Sequence, residues 1–535
     1  MKNQVFAFII ALVSFSIQSQ EFGINDFRIS NMGTDGVTSF FALDPAVAYN
    51  TTDNKYLVVW NADDNRDAVV DNEFEIYGQF INADGSESGS NDFRISFTNT
   101  DGNTSFRTDR PDVTWNSTTN QFLVVWEGET SVDGEIEIYG QLVNADGTLN
   151  GSNFRISDTG PEGDGNFDAN RPSVVYNLTD NEFLVVWESD ETINNNIEIY
   201  GQRISATGNE IGTNDFQISI QLPINDANFD AREPDVVWNS ASNQYLVIWQ
   251  GETSIDEEKE IYGQRLDNSG NAIGSNFRIS DMGTEGETTT SALSPRLDYN
   301  SVDNNYLIIW QGSDTVANQY ETYGQLIDAN GAEIGTNDFR ITTTTNINAN
   351  YDTWRPKLVW NVTNNEYLVV YRNDHTTDDE FEIYGQLIDN LGSLKSAAFN
   401  LSDMGPDGDT NYGADDCVVA TNGIGDYIIA WEGDDNISPL VDNEKEIFIQ
   451  MFKNETLSIT NLNLESELKI YPNPSSSYIY FNKNLNNRTI LIVDINGRLI
   501  KKAIVSDNYI DIRFLKQGIY FLKYENAKFI KFIKN

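Results

Sequence analysis

The sequence predicts an all-β protein: a seven-bladed β-propeller closed by its own N-terminal strand, followed by a small β-module. Three observations lead there. The phrase EIYGQ or a near copy recurs seven times, placing its glutamate at 75, 137, 198, 260, 321, 382 and 446, in steps of 61 to 64 residues. An aromatic precedes each copy at a fixed distance: Trp60, Trp126, Trp187, Trp249, Trp310, Tyr371 and Trp431. A phrase like FRIS stands before the first full unit, at Phe27–Ser30, and is missing after the seventh, which stops near Phe452. Four-stranded units repeated at this period are blades, and a radial array protects their edges. A linear solenoid needs polar capping repeats, and none is present.

Each unit reads as four short strands. The first follows a proline (Pro45, Pro111, Pro172, Pro234, Pro295 and Pro356), with Cys417 in the seventh place. In the second unit this gives Asp112–Asn116 as strand one. A polar turn then leads to Gln121–Trp126, whose β-branched and aromatic run suits burial on both faces. Glu137–Val143 follows, then an Asn-Ala-Asp-Gly turn at 144–147 and the strand Phe154–Ser157. The N-terminal FRIS copy is expected to complete the seventh sheet.

Charge divides the chain. Its 535 residues carry 82 acidic and 34 basic side chains, one histidine and one cysteine. Residues 22–465 hold 76 acids against 21 bases, whereas 466–535 hold 12 bases against 5 acids. A formal charge of −48 excludes nucleic acid and anionic membrane as natural partners. One cysteine excludes an internal disulfide framework, and His375 alone excludes histidine-rich metal sites.

At the N-terminus, Lys2, the apolar run Val5–Val13 and the polar Ser14–Gln20 form a signal peptide, cut near Ser19. Its apolar core is shorter than the roughly 20 residues of a membrane span. No other segment is apolar enough to cross a bilayer, so no transmembrane segment is expected. The expected divisions are 1–19 signal peptide, 22–455 propeller, 456–466 linker and 467–535 C-terminal module.

Loops joining strand four to the next strand one, and strand two to strand three, share one face and are long, acidic and variable. Binding residues concentrate on such loops. Two groups there offer oxygen ligands at calcium-like spacing: Glu162, Asp164, Asn166 and Asp168, then Asp403, Asp407 and Asp409. Neither follows an EF-hand loop. A solvated acidic surface that keeps an extracellular protein soluble is the simpler account of them. The Glu, Tyr and Gln of EIYGQ face one side of their strand; their presence in every unit marks them as scaffold, with the tyrosines between blades and the glutamates paired to Arg28, Arg94 and Arg155. The tryptophans read as scaffold too, although their position near the loop face leaves stacking on sugar open.

Catalytic motifs are absent: no G-x-S-x-G, no H-E-x-x-H and no phosphate-binding glycine loop. A serine triad would have to use His375. Glycoside hydrolysis needs two carboxylates at a set separation, and spacing singles out no pair. The repeats resemble those of large bacterial surface proteins. A non-catalytic binding or adhesion role toward glycan or protein is therefore expected, with a polysaccharide-degrading hydrolase or lyase as the alternative.

From Leu468 the text changes to LKIYPNPSSSYIYF, ILIVDINGRLIKK and a basic closing stretch. Tyr471-Pro472-Asn473-Pro474, Asp494 with Gly497, Gly518 with Tyr520, and Lys531 with Lys534 stand in an order that closely resembles the type A C-terminal sorting domain of the type IX secretion system. The resemblance implies an immunoglobulin-like β-sandwich, recognition by the type IX translocon, and release from or attachment to the outer cell surface.

Overall fold

The computed structural model describes residues 19–454 and 468–535, apart from 67–68, 98–100, 130–133, 162, 192, 221–228, 253–254, 256, 285, 287, 314–319, 343–351, 375–376, 378, 487, 495–497 and 525–527. The expected signal peptide (but for Ser19), the linker and His375 lie outside the described residues. The chain divides into two compact units, Met1–Thr456 and Leu457–Asn535. Among the described residues there is no helix.

The first unit is a propeller-like series of four-stranded antiparallel sheets. Among the described residues six are consecutive meanders; the second, for example, runs Thr108–Asn116, Gln121–Glu129, Ile136–Asn144, Leu149–Arg155. The seventh sheet takes Gly413–Thr421, Asp426–Asp434 and Glu446–Asn454 from the end of the unit and Ser19–Arg28 from its beginning. That last pairing runs antiparallel from Ser19 opposite Asn454 to Arg28 opposite Phe448. The first strand of each sheet packs on that of the next, and Ala42–Asn50 packs on both Thr108–Asn116 and Gly413–Thr421.

Why the sheets stack this way follows from the second strand. In Lys55–Asp63 the alternation sends Tyr56, Val58 and Trp60 into one apolar cluster, shared with the seventh sheet through Ile428 and Ile449. Leu57 and Val59 enter another, shared with the second sheet through Val113 and Trp126. A strand apolar on both faces needs a sheet on each side. The same sharing joins every neighbouring pair of sheets.

Strand boundaries differ from the sequence-based ones in one instructive way. The first strand starts before its proline, at Thr108 rather than Asp112, and kinks between Asp109 and Asp112. Proline removes a ladder donor, so it is tolerated on this innermost edge and at a bulge. The sixth sheet keeps only Phe399–Asn400 of its fourth strand.

EIYGQ is scaffold in detail. Glu137 is buried and accepts the Ser157 hydroxyl, the Arg155 guanidinium and the Thr159 amide at 3.0 Å. Glu75 does the same with Ser96 and, at 2.5 Å, Arg94. Gln217 and Asn400 replace the arginine in the third and sixth sheets, and the Ser219 and Ser402 bonds persist. In the seventh sheet the partners come from opposite ends of the unit: Glu446 accepts from Ser30 and from the Met32 amide at 3.0 Å, with Arg28 at 3.8 Å. Gly140 exists because Ile156 lies against it: a β-carbon there would sit 2.9 Å from the isoleucine methyl. Tyr77 and Tyr139 fill the clusters between sheets.

The second unit pairs Ile470–Tyr471 with Tyr478–Phe481 and Tyr509–Asp511, and separately orders Leu499–Ile504, Thr489–Asp494, Gly518–Tyr524 and Lys528–Lys534 in a four-stranded sheet. One apolar core, with Ile479, Ile490, Leu522 and Phe532, is shared by both sheets, the arrangement of an immunoglobulin-like sandwich.

Two predictions follow from the buried glutamates. Ser30→Ala removes one donor to a buried carboxylate and is expected to cost about 1–3 kcal/mol, read from the guanidinium midpoint. Burial, the leading cause, pushes Glu382 and Glu446 up to about 8 and Glu260 up to about 7, against about 4.3 in an unfolded chain. Between those values the folded state holds protons that the unfolded chain has lost, so stability falls as pH rises from about 4.3 toward 8. The guanidinium midpoint is expected to be lower at pH 8.5 than at pH 5.5, and Glu446→Gln to reduce that difference; a midpoint that rises with pH contradicts the assignment.

Candidate functional site

A proline stands at the bulge of six first strands and Cys417 takes its place in the seventh. The residue before that position lies in the left-handed region in all seven sheets: Asp44, Arg110, Arg171 and Glu233 have φ of 49°, 46°, 54° and 53°, and Ser294, Arg355 and Asp416 have 51°, 51° and 30°. Such a conformation costs a non-glycine residue about 1–2 kcal/mol and persists because the surroundings fix it. In the third, fourth and fifth sheets the fixing group is the residue after the repeated aromatic of the preceding sheet, whereas the Arg110 and Asp416 amides go to the preceding Asp109 and Asp415 carboxylates. Glu127 accepts the Arg171 amide and Glu188 the Glu233 amide, both at 2.7 Å; Gln250 accepts the Ser294 amide at 3.0 Å.

These segments enclose a cavity of about 470 Å³ to which every one of the seven first strands contributes. Its wall is polar and its charges are arranged in pairs. Arg110 meets Glu127 at 2.8 Å, Arg171 meets Glu233 and, at 3.6 Å, Glu188, and Arg355 meets Asp416. One residue deeper, Asp112 accepts the Val174 and Val113 amides at 2.8 Å each, which braces the second sheet to the third. Asp235 accepts the Leu297 amide and the Ser173 hydroxyl, both at 3.0 Å. Burial pushes Asp112 up to about 6.

The rim is asymmetric. Where the first sheet meets the seventh and the second, acids crowd together. Asp44 is held well above the usual carboxylate range by burial, then by Asp416, Asp109 and Glu432. Glu432 is raised by burial and Asp416, against the pull of Lys445 at 2.9 Å. Beside them, Trp354 precedes Arg355 at a position that other sheets fill with Leu43, Asn170 or Leu293. It is half-buried and lies 5.0 Å from the Tyr320 ring. Arg372 spans the junction, 2.8 Å from Asp415 and 3.7 Å above the Phe381 ring. An aromatic face next to arginine and a carboxylate able to hold a proton can stack on, hydrogen-bond and orient a sugar ring.

The repeated tryptophans do none of this. Trp60, Trp126, Trp187, Trp249, Trp310 and Trp431 are at most 1% exposed, which removes the expectation that some stack on ligand; they fill the space between sheets.

The acidic loops are pinned from beneath. Glu73, Glu135 and Glu258, just before the third strands, are buried and accept the Gly102, Gly163 and Gly286 amides at 2.8, 2.7 and 2.6 Å. Of the calcium-spaced residues, Glu162 lies outside the described residues. Asp164 accepts the Asn166 amide at 3.3 Å and its side chain besides; Asp168 accepts the Ile136 amide at 3.4 Å. Asp409 accepts the Asn411 amide at 3.2 Å, while Asp403 and Asp407 are exposed. Among the described residues no group of three or more His, Cys, Asp or Glu is placed to hold a metal ion. The structure does not bring these acids together; Asp164 and Asp409 spend their oxygens on the turns they cap.

Sequence reasoning missed the residues that flank the prolines. A usable signal existed: inside a repeat that holds Pro, Trp and Glu constant, the positions before and after the proline change from Asp-Pro-Ala at 44–46 to Arg-Pro-Asp at 110–112 and Arg-Pro-Lys at 355–357.

In the second unit the motif residues converge on the last strand. Asn473 donates to the Lys531 carbonyl at 3.0 Å and accepts the Ile533 amide at 2.9 Å. Tyr471 stacks on Tyr480 at 5.9 Å and Tyr520 on Phe532 at 5.6 Å. Pro472 and Pro474 flank Asn473, Gly518 opens the strand opposite Lys534, and Asp494 accepts the Arg498 amide at 3.0 Å. Gly497 lies outside the described residues.

No curated protein matches the chain. Among solved structures it is similar to a PL25 ulvan lyase, a polysaccharide lyase, with 9% identity over 82% of this chain and 96% of that one and a TM-score of 0.47. It is also similar to the NanB sialidase of Streptococcus pneumoniae, with 11% identity over 81% and 71% and a TM-score of 0.42. The Dos1 propeller aligns with 10% identity over 81% and 95% and a TM-score of 0.36. Residues 469–535 match the family described as the secretion system C-terminal sorting domain. The C-terminal unit is therefore a sorting domain of the type IX secretion system, and the chain that carries it is a secreted protein.

Proposed function

We propose that this protein is a secreted glycan-binding module whose ligand enters the central cavity of a closed seven-bladed propeller. The pairing of Ser19–Arg28 with Glu446–Asn454, and the contacts of Ala42–Asn50 with both its neighbours, support closure of the ring. The observation that carries the binding reading is the cavity: polar, about 470 Å³, and walled by a segment from each sheet. That volume lies in the range of small-molecule sites, roughly 300–1,000 Å³, enough for one or two sugar residues at the end of a longer chain. Trp354, next in the chain to the cavity-lining Arg355, packs on Tyr320 outside the cavity lining and would offer an apolar face to a sugar chain that extends beyond it.

A second reading, a hydrolase or lyase, draws on Asp44. It is kept protonated longer than an ordinary carboxylate and stands near Asp416, Asp109 and Glu432, a disposition that suits a general acid. Against it, Asp416 and Glu432 are engaged by Arg355 and Lys445, and an acid held in an ion pair is a poor proton carrier.

Two outcomes are expected. Deleting residues 469–535 in a host with type IX secretion should leave the truncated chain in the periplasm; its appearance outside the cell contradicts the sorting assignment. On a panel of polysaccharides with and without EDTA, retention without product supports binding, and Trp354→Ala should weaken retention about tenfold, as expected for loss of a stacking contact of about 1–1.5 kcal/mol. Product release supports the enzyme reading instead, and retention lost on chelation assigns calcium to the loops.

A further inference from the structure

The propeller unit is strongly acidic, and the basic side chains of its cavity wall described so far are neutralised by a neighbour. Two others have no carboxylate at hydrogen-bonding or ion-pair distance among the described residues: Arg296 donates to the carbonyl of Pro295, at 2.6 Å, and acts on Glu233 from beyond contact, and Lys357 has Asp235 and Asp416 only at longer range. Both line the cavity, on adjacent sheets, and each directly follows its proline. They therefore share one level, just beneath the rim.

The same level in other sheets holds Ala46, Asp112, Ser173, Asp235 and Val418. Its two acids do not serve the cations at hydrogen-bonding distance. Asp112 is occupied by two amides, and Asp235 by the Ser173 hydroxyl and the Leu297 and Val236 amides at 3.0 Å. These carboxylates spend their hydrogen bonds bracing one sheet to the next, while the Lys357 ammonium and the Arg296 donors not given to Pro295 stay free of carboxylate contact. Burial, and after it the nearby Arg296, oppose the positive charge of Lys357, with Asp235 and Asp416 pulling the other way. Two half-buried cations this close repel each other until an anion arrives, and a fork beside a point donor matches an oxyanion's several oxygens.

We propose that Arg296 and Lys357 form an oxyanion subsite in the wall of the central cavity, which takes the carboxylate or sulfate of an acidic saccharide. This rests on the glycan reading above and narrows it. The paired rim arginines and the Trp354–Tyr320 face meet the neutral part of the sugar; the deeper pair selects its charge. A neutral sugar of the same size would leave both cations unmatched, which makes discrimination large.

The test is calorimetric titration with a galacturonate trimer, a sulfated galactose oligomer and a neutral cellotriose. The acidic oligomers are expected to bind at least about tenfold tighter than the neutral one, and the carboxylate and sulfate arms tell which group is preferred. Arg296→Gln and Lys357→Met should each erase about tenfold of that preference while leaving neutral binding within about twofold; Lys357→Arg should retain it. Unchanged guanidinium midpoints show that the variants fold. Neutral binding without preference for acid overturns the subsite and leaves the glycan reading standing. An independent readout uses inorganic sulfate alone: it should protect Lys357 from reductive methylation, followed by peptide mass. Protection with no saccharide bound by any arm keeps the oxyanion subsite and sinks the glycan reading; absence of protection overturns the subsite.

Discussion

The first unit depends on one backbone ladder, the antiparallel pairing of Ser19–Arg28 with Glu446–Asn454. Without it the third strand of the seventh sheet would present a bare edge, and Glu446 would lose its Ser30, Met32 and Arg28 partners. The side chains reinforce the register, because Glu446 repeats across the chain ends the contact that Glu75 and Glu137 make inside a single sheet. One chemical device thus serves both as local staple and as long-range clasp. The apolar cluster that joins the seventh sheet to the first, with Trp60, Ile428 and Ile449, lies over the same junction.

Most of this architecture was legible in the sequence, because a repeat reports its scaffold by what it holds constant. The aromatic before each EIYGQ, the glutamate, the glycine that admits an isoleucine methyl and the proline all turned out to be structural. The stray FRIS copy at Phe27–Ser30 located the strand that completes the seventh sheet. Strand starts were less legible. The bulge around Pro172 depends on the Arg171 amide being caught by Glu127 of the preceding sheet, a tertiary fact that local pattern cannot carry.

The cavity was hidden for a complementary reason. Acidic loops drew attention by composition, yet Glu73, Glu135 and Glu258 beneath them anchor glycine amides, and Asp164 and Asp409 cap turns. Conspicuous charge was mostly internal bracing. The residues that give the cavity its character, Asp44, Arg110, Arg296 and Lys357, differ from sheet to sheet and are unremarkable one at a time. Only the common register of seven first strands shows that they face one volume. In the basic unit, the Tyr-Pro-Asn-Pro motif was legible as a signature, but its mechanical role, Asn473 holding the final strand from both sides, needed coordinates.

Chain order has a kinetic side. The strand Ser19–Arg28 finds its hydrogen-bonding mate only after more than four hundred further residues exist. Six sheets can collapse as local meanders, with small loops and low entropy cost, whereas the seventh waits for the whole length. Until then Ser19–Arg28 must travel with its backbone donors and acceptors unpaired, exposed to other nascent copies of itself. Full assembly is therefore a late event by construction, and a translocating chain stays an open, deformable string for nearly all of its synthesis.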